Sequence, residues 1–178
     1  MKKCCFIIPY FGKLPNYFPV FLKTCAFNKD YDWLIFSDDC SKYELPINVK
    51  IINLEFVDLK EKIKNKFKDF EIALSYPYKL CDYKPAYGYI FEEYLKDKYQ
   101  YWGHCDLDIL VGNLDNFLLD MIDKNYDKIL CLGHMILYKN TYENNRVFME
   151  EYNNKMLYKE SFQTNEITTF DETYNRKK

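Results

Sequence analysis

Asp106 and Asp108 stand one residue apart inside an otherwise apolar segment, residues 101–111 (YWGHCDLDILV). If that segment is a strand, both carboxylates point to one face. Together they can then address one divalent cation, directly or through water. Magnesium and manganese favour carboxylate oxygens and usually share themselves with the phosphates of a substrate. Two bare carboxylates would repel a diphosphate, and a cation between them reverses the sign of that interaction. The same ion stabilises a departing diphosphate. A D-x-D pattern alone says little, because fifteen aspartates in 178 residues supply about one such pair by chance. Asp30-Tyr31-Asp32 is a second match, in a polar turn where solvated carboxylates cost little. The surroundings single out the other pair. Trp102, Cys105, Leu107, Ile109, Leu110 and Val111 make a buried strand, where an ionised carboxylate is costly unless something compensates it. A cation, a lysine, or a position at the open end of the strand would each serve. A lysine bridge without a cleft beside it would mark the pair as structural.

The elements that must position this pair follow from hydrophobic patterning. Residues 4–9 (CCFIIP) form a short, continuously apolar run closed by a turn, as in a buried parallel strand. Residues 33–36 and 49–54 read as two more strands, 128–132 and 135–139 as another two. Helical spacing covers 16–26, 57–67, 86–95 and 114–122, and extends to 143–152. Residues 76–85 form an aromatic and charged connector. Strands alternating with helices predict an α/β sandwich with a mainly parallel sheet, whose ligands bind at the carboxyl ends of the strands. That rule selects the loop after Pro9, the Ser37-Asp38-Asp39 segment and the Asp106 region. Tyr10 and Phe11 stand there as stacking surfaces or as core aromatics, and Asp39 as a ribose acceptor or a turn cap. Lys79 and Lys84 read as ligand-facing or as ordinary surface lysines. His104 shares a strand face with Asp106 and reads as a core residue behind it.

Composition bounds the rest. Hydrophobic residues make up 48% and aromatics 19% of the chain, enough for one domain with a real core. A net charge of −2 gives no reason to expect nucleic acid as a partner. Seven cysteines include no C-x-x-C pair, so buried free thiols fit better than a zinc site, with Cys4, Cys5, Cys105 and Cys131 inside core strands. Pro9 and Gly12 interrupt the N-terminal apolar run, which argues against a signal peptide. No segment has the length of a membrane span, and a cytoplasmic location is the expectation.

Several motifs, taken in order, resemble a GT-A-like group of bacterial and viral glycosyltransferases often labelled only as a domain of unknown function. They are IIPYFG at 7–12, WLIFSDD at 33–39, YKLCDYKPAYG at 78–88, WGHCDLD at 102–108 and Gly133-His134, spanning most of residues 4–140. The resemblance implies a GT-A (nucleotide-diphospho-sugar transferase) fold, a Rossmann-like α/β/α sandwich with a mainly parallel central sheet. It implies a hexosyl- or deoxyhexosyltransferase using Mn2+ or Mg2+, a nucleoside-diphosphate sugar donor, and a glycan or lipid-linked saccharide acceptor. Carried over, Pro9, Tyr10 and Phe11 would line the base and ribose pocket, and Asp38 or Asp39 would bind the base or ribose. Lys84 would meet the phosphates or sugar, Asp106 and Asp108 the metal, and His134 the sugar or metal. Residues 1–178 would form a single domain, its nucleotide-sugar part at about 1–115 and a partial acceptor side at about 116–178. Such enzymes usually carry a longer acceptor half, so the polar tail ending in Arg176-Lys177-Lys178 reads as that of a truncated form or of one part of a larger enzyme. An inverting reaction would need a general base from this later part, where Glu166, Asp171 and Glu172 are available. Two other readings compete. A non-catalytic nucleotide- or sugar-binding module would lack the transfer step. An aspartate-nucleophile phosphohydrolase would want Thr or Val where this chain has Leu110.

Overall fold

A computed structural model describes residues 1–172. Six strands form one sheet: β1 (Lys2–Pro9), β2 (Tyr31–Ser37), β3 (Val49–Asn53), β4 (Tyr99–Cys105), β5 (Lys128–Leu132) and β6 (Met135–Lys139). Their order is β3-β2-β1-β4-β6-β5. The first four run parallel, β6 runs antiparallel to β4, and β5 antiparallel to β6. This is a mixed α/β fold with a mostly parallel sheet, and its 3-2-1-4 portion has the strand order found across the switch point of a doubly wound sheet.

The unbroken apolar run of β1 has a simple cause, since both of its faces are covered. Cys4, Phe6 and Ile8 enter one core with Phe18, Phe21 and Leu22 of α1 (Phe18–Ala26) and Leu118 and Ile122 of α5 (Asp115–Asp123). Cys5 and Ile7 enter the other, with Leu59 and Ile63 of α2 (Phe56–Lys66), Ile90 of α3 (Tyr87–Ile90), Leu95 of α4 (Glu92–Leu95) and Phe162 of α6 (Leu157–Phe162). Helices thus pack on both faces of the sheet.

Five expectations are corrected. The strand expected over 101–111 ends at Cys105: the Asp106 amide still donates to the His134 carbonyl at 2.9 Å, a last bond in the β4–β6 register, and the chain turns at Leu107 and Asp108. Leu107, Val111 and Leu114 are still buried, against the α1–α5 core. The single helix expected over 86–95 is two short ones broken at Phe91. Before them, the expected connector is a tight 3-10 run over Pro77–Ala86. Gly88 lies flat on the indole of Trp102, where a side chain would meet ring atoms at 2.3 Å. Residues 143–152 are not a helix but a run of turns with the 3-10 turn Val147–Met149 and a bridge at Tyr152, and Asn145 Oδ1 accepts from Trp102 Nε1 at 2.7 Å. Finally, Cys131 is exposed, because β5 is an edge strand with Leu130 in the left-handed region and a register shift between Ile129 and Leu132. Tail residues 173–178, Arg176-Lys177-Lys178 included, lie outside the described residues.

All seven thiols are free. Cys4, Cys5, Cys25 and Cys105 are buried, and burial pushes each well above the ordinary thiol range. Cys81 is half-buried, and burial pushes it up to about 11. Only the thiolate reacts readily. Titration with an aromatic disulfide should therefore find two fast thiols in the native protein, Cys40 and Cys131, and seven after denaturation.

Candidate active site

β1 and β4 are parallel neighbours, but the chain leaves β1 toward β2 on its other side. Their carboxyl-end loops therefore part, and such a switch point is where open α/β sheets leave a crevice. A cleft of about 720 Å³ opens there, within the roughly 300–1,000 Å³ of small-molecule sites. Tyr10 and Phe11 reach it from β1, and Asp106 and Asp108 from β4. The reversed direction of β6 carries the β5–β6 turn to the same edge, adding Gly133 and His134. Lys84 comes from the 3-10 run, and Asp171 and Glu172 from the tail.

The centre of the cleft is an ion cluster. Lys84 Nζ donates to Asp106 Oδ1 at 2.9 Å and to the Gly133 carbonyl at 2.8 Å, and lies 3.3 Å from Asp171 Oδ2. Burial pulls the Lys84 ammonium down, but Asp106 and Asp171 outweigh it and hold it above its ordinary value. Asp171 is 7% exposed, and burial raises its carboxyl in spite of Lys84. Gly133 leaves the space into which the tail side chains come, since a methyl there would sit 2.8 Å from Asp171 Oδ2 and from Glu172 Cγ. At the floor, His104 is 1% exposed with no hydrogen-bond partner on either ring nitrogen. Burial holds it well below the usual histidine range, so it is a neutral imidazole.

A second ion pair fastens the tail to this site. Lys79 and Asp82 side chains are fully buried and bond at 2.6 Å. Lys79 also donates to the Glu166 carbonyl at 2.7 Å. Asp82 accepts from the amides of Thr168 and Phe170, both at 2.9 Å. Residues 166–170 are thereby strapped across the 3-10 run, and the strap delivers Asp171 and Glu172.

Of the residues expected at the site, Pro9, Tyr10, Phe11, Lys84, Asp106, Asp108 and His134 all line the cleft. Two parts of the expectation change. Asp106 and Asp108 sit in a turn and not on a strand, so the shared-face argument does not apply. Asp106 is half-buried on Lys84, and Asp108 is exposed. Asp38 and Asp39 are not among the lining residues. Asp38 accepts from the Gly12 amide at 2.6 Å, and Asp39 from the Leu14 and Ser41 amides at 2.9 and 2.8 Å. The Ser41 hydroxyl, followed by the Leu14 and Ser41 amides, holds the Asp39 carboxyl far below the usual range. Both aspartates pin the loop that carries Tyr10 and Phe11. Glu166 also lies outside the lining, which leaves Asp171 and Glu172 as acids facing the cleft. Neither lysine is an ordinary surface residue. Sequence reasoning misses the Lys79–Asp82 strap, although an i, i+3 pair amid Leu80 and Tyr83 is its trace.

Among the described residues, one trio of metal-ligand type lies close together: Cys81, Asp82 and Asp171. It is poorly suited to a cation, since Asp82 is already committed to Lys79 and two amides and Asp171 to Lys84. Asp106 and Asp108 suit Mg2+ or Mn2+ better, because these ions need only one or two carboxylates, waters and a ligand's phosphates. The open cleft beside the pair leaves room for the last two. No helix among the described residues is long and apolar enough to cross a membrane.

No curated protein and no solved structure matches the chain. The profile of a family described as "Family of unknown function (DUF6625)" matches residues 6–178. That match takes in every residue of the cleft, and the chain belongs to this family.

Proposed function

We propose that the protein is a metal-dependent glycosyltransferase of GT-A type that moves a sugar from a nucleoside-diphosphate donor to a glycan or lipid-linked acceptor. One observation carries the reading: an aromatic pair, a half-buried lysine and two aspartates meet in one cleft at the switch point of a 3-2-1-4 sheet. Tyr10 and Phe11 offer a stacking surface to the base. Lys84 offers its ammonium to the diphosphate. Asp106 and Asp108 would hold Mn2+ or Mg2+, which when bound neutralises the diphosphate as it leaves. His134, exposed on the β5–β6 turn, borders the sugar. Asp171 and Glu172 face the space where an acceptor hydroxyl would enter, and either can take its proton.

A melting panel of nucleoside diphosphates and nucleotide sugars, each with and without Mn2+, tests this directly. At about 100 times Kd a ligand adds roughly 2.7 kcal/mol, which for a chain of this size is about 5–10 °C. The expected result is a shift of that order for one nucleotide class, present only with the metal. A panel that is flat throughout would rule the reading out.

A further inference from the structure

Lys84 presents a pattern that a simple phosphate-binding lysine does not need. Its ammonium has three donors and three oxygens around it: Asp106 Oδ1 at 2.9 Å, the Gly133 carbonyl at 2.8 Å and Asp171 Oδ2 at 3.3 Å. Two carboxylates and a carbonyl around one positive centre are the surroundings of a bound cation. The position is also built with care. The lysine is rooted in the 3-10 run that the buried Lys79–Asp82 pair and Pro85 hold in place, and its side chain is 14% exposed.

We propose that Lys84 is a tethered cation that occupies Asp106 in the resting protein and gives way to a divalent ion only when a diphosphate arrives to receive it. This rests on the reading of Asp106 as a metal ligand. A divalent ion entering alone meets an ammonium already on the same carboxylate, and two cations on one anion repel each other. A diphosphate removes the conflict by giving both cations a shared anion. Its phosphates draw Lys84 off Asp106, and the freed carboxylate turns to the ion. Metal and diphosphate therefore bind cooperatively, and the coupling is reciprocal. No bond is made or broken and no proton moves.

The test uses the full chain and two probes applied separately: Mn2+ alone, followed by its paramagnetic resonance signal, and radiolabelled inorganic pyrophosphate alone. In Lys84→Gln, Mn2+ should bind at least about 10-fold more tightly than in the parent, and pyrophosphate at least about 10-fold more weakly. Lys13→Gln, which removes an exposed lysine two residues after Phe11, should change either affinity less than about 2-fold, since exposed charges are screened. If Lys84→Gln does not fold, the double variant Lys84→Gln/Asp171→Asn removes an acid with the lysine and should show the same gain for Mn2+. An unchanged or weaker Mn2+ affinity in the folded variant overturns the proposal. Should the parent also bind Mn2+ and pass the nucleotide panel, the transferase reading survives that failure. If Mn2+ binds none of the three proteins, the proposal and the metal assignment fall together.

Discussion

Asp82→Ala is expected to destabilise the protein by about 3–5 kcal/mol, the usual cost of breaking a buried ion pair from one side. For a chain of this length that lowers the melting temperature by roughly 6–20 °C. The effect is large because Asp82 has several partners. Its loss leaves the fully buried Lys79 ammonium without its counter-charge and strands the amides of Thr168 and Phe170. The pH dependence has a definite sign. Burial pushes the Asp82 carboxyl up, but Lys79 and the two amides outweigh it, so its folded value lies below the ordinary one. Its contribution is then fully present above the unfolded value of about 3.9 and is lost as pH falls through the folded value below it. Calorimetric melts of the parent should drop steeply below about pH 4. Those of Asp82→Asn should start lower and change less over that window. Equal melting temperatures for the parent and Asp82→Ala would mean that the strap does not contribute to the fold.

Asp106→Asn should abolish the metal-dependent part of nucleotide stabilisation, reducing a shift of about 5–10 °C to under about 2 °C. The amide keeps the shape of the side chain and removes the charge that both Lys84 and a cation require. Asp108→Asn should do the same with little change in the unliganded melting temperature, because Asp108 is exposed. Asp30→Asn, in the other D-x-D of the chain, is the control and should behave as the parent. If Asp106→Asn and Asp108→Asn respond like the parent, the metal assignment is wrong.

The sheet could be read from the sequence because its strands are short and apolar on both sides; Cys4 to Ile8 cannot be anything but buried. The cleft could be read for a related reason. In a parallel sheet, residues just past the strands gather at one edge, and that rule selects Tyr10, Phe11 and Asp106. It also selects Asp38 and Asp39, whose oxygens are taken by backbone amides of the neighbouring loop; a strand-end carboxylate gives the same sequence signal whether its partner is a ribose or an amide. The tail is hidden for a different reason. Residues 164–172 have no period, and their place is fixed by two side chains more than eighty positions earlier, Lys79 and Asp82. Long-range polar contacts of this sort leave no local pattern. The two-residue link between 128–132 and 135–139 does announce an antiparallel pair, but nothing local says that β6 is the strand that joins β4, which is the reason that Gly133 and His134 meet Asp106.

The irregular edge strand has a consequence for how the protein behaves at high concentration. A straight β5 would offer five residues of unpaired backbone, flanked by the exposed side chains of Leu130, Cys131 and Leu132, as a template for a strand from another molecule. The left-handed bend at Leu130 breaks that row near its middle, so an incoming strand can follow neither half for long. Among the described residues, backbone shape is the device that guards this side of the sheet against aggregation.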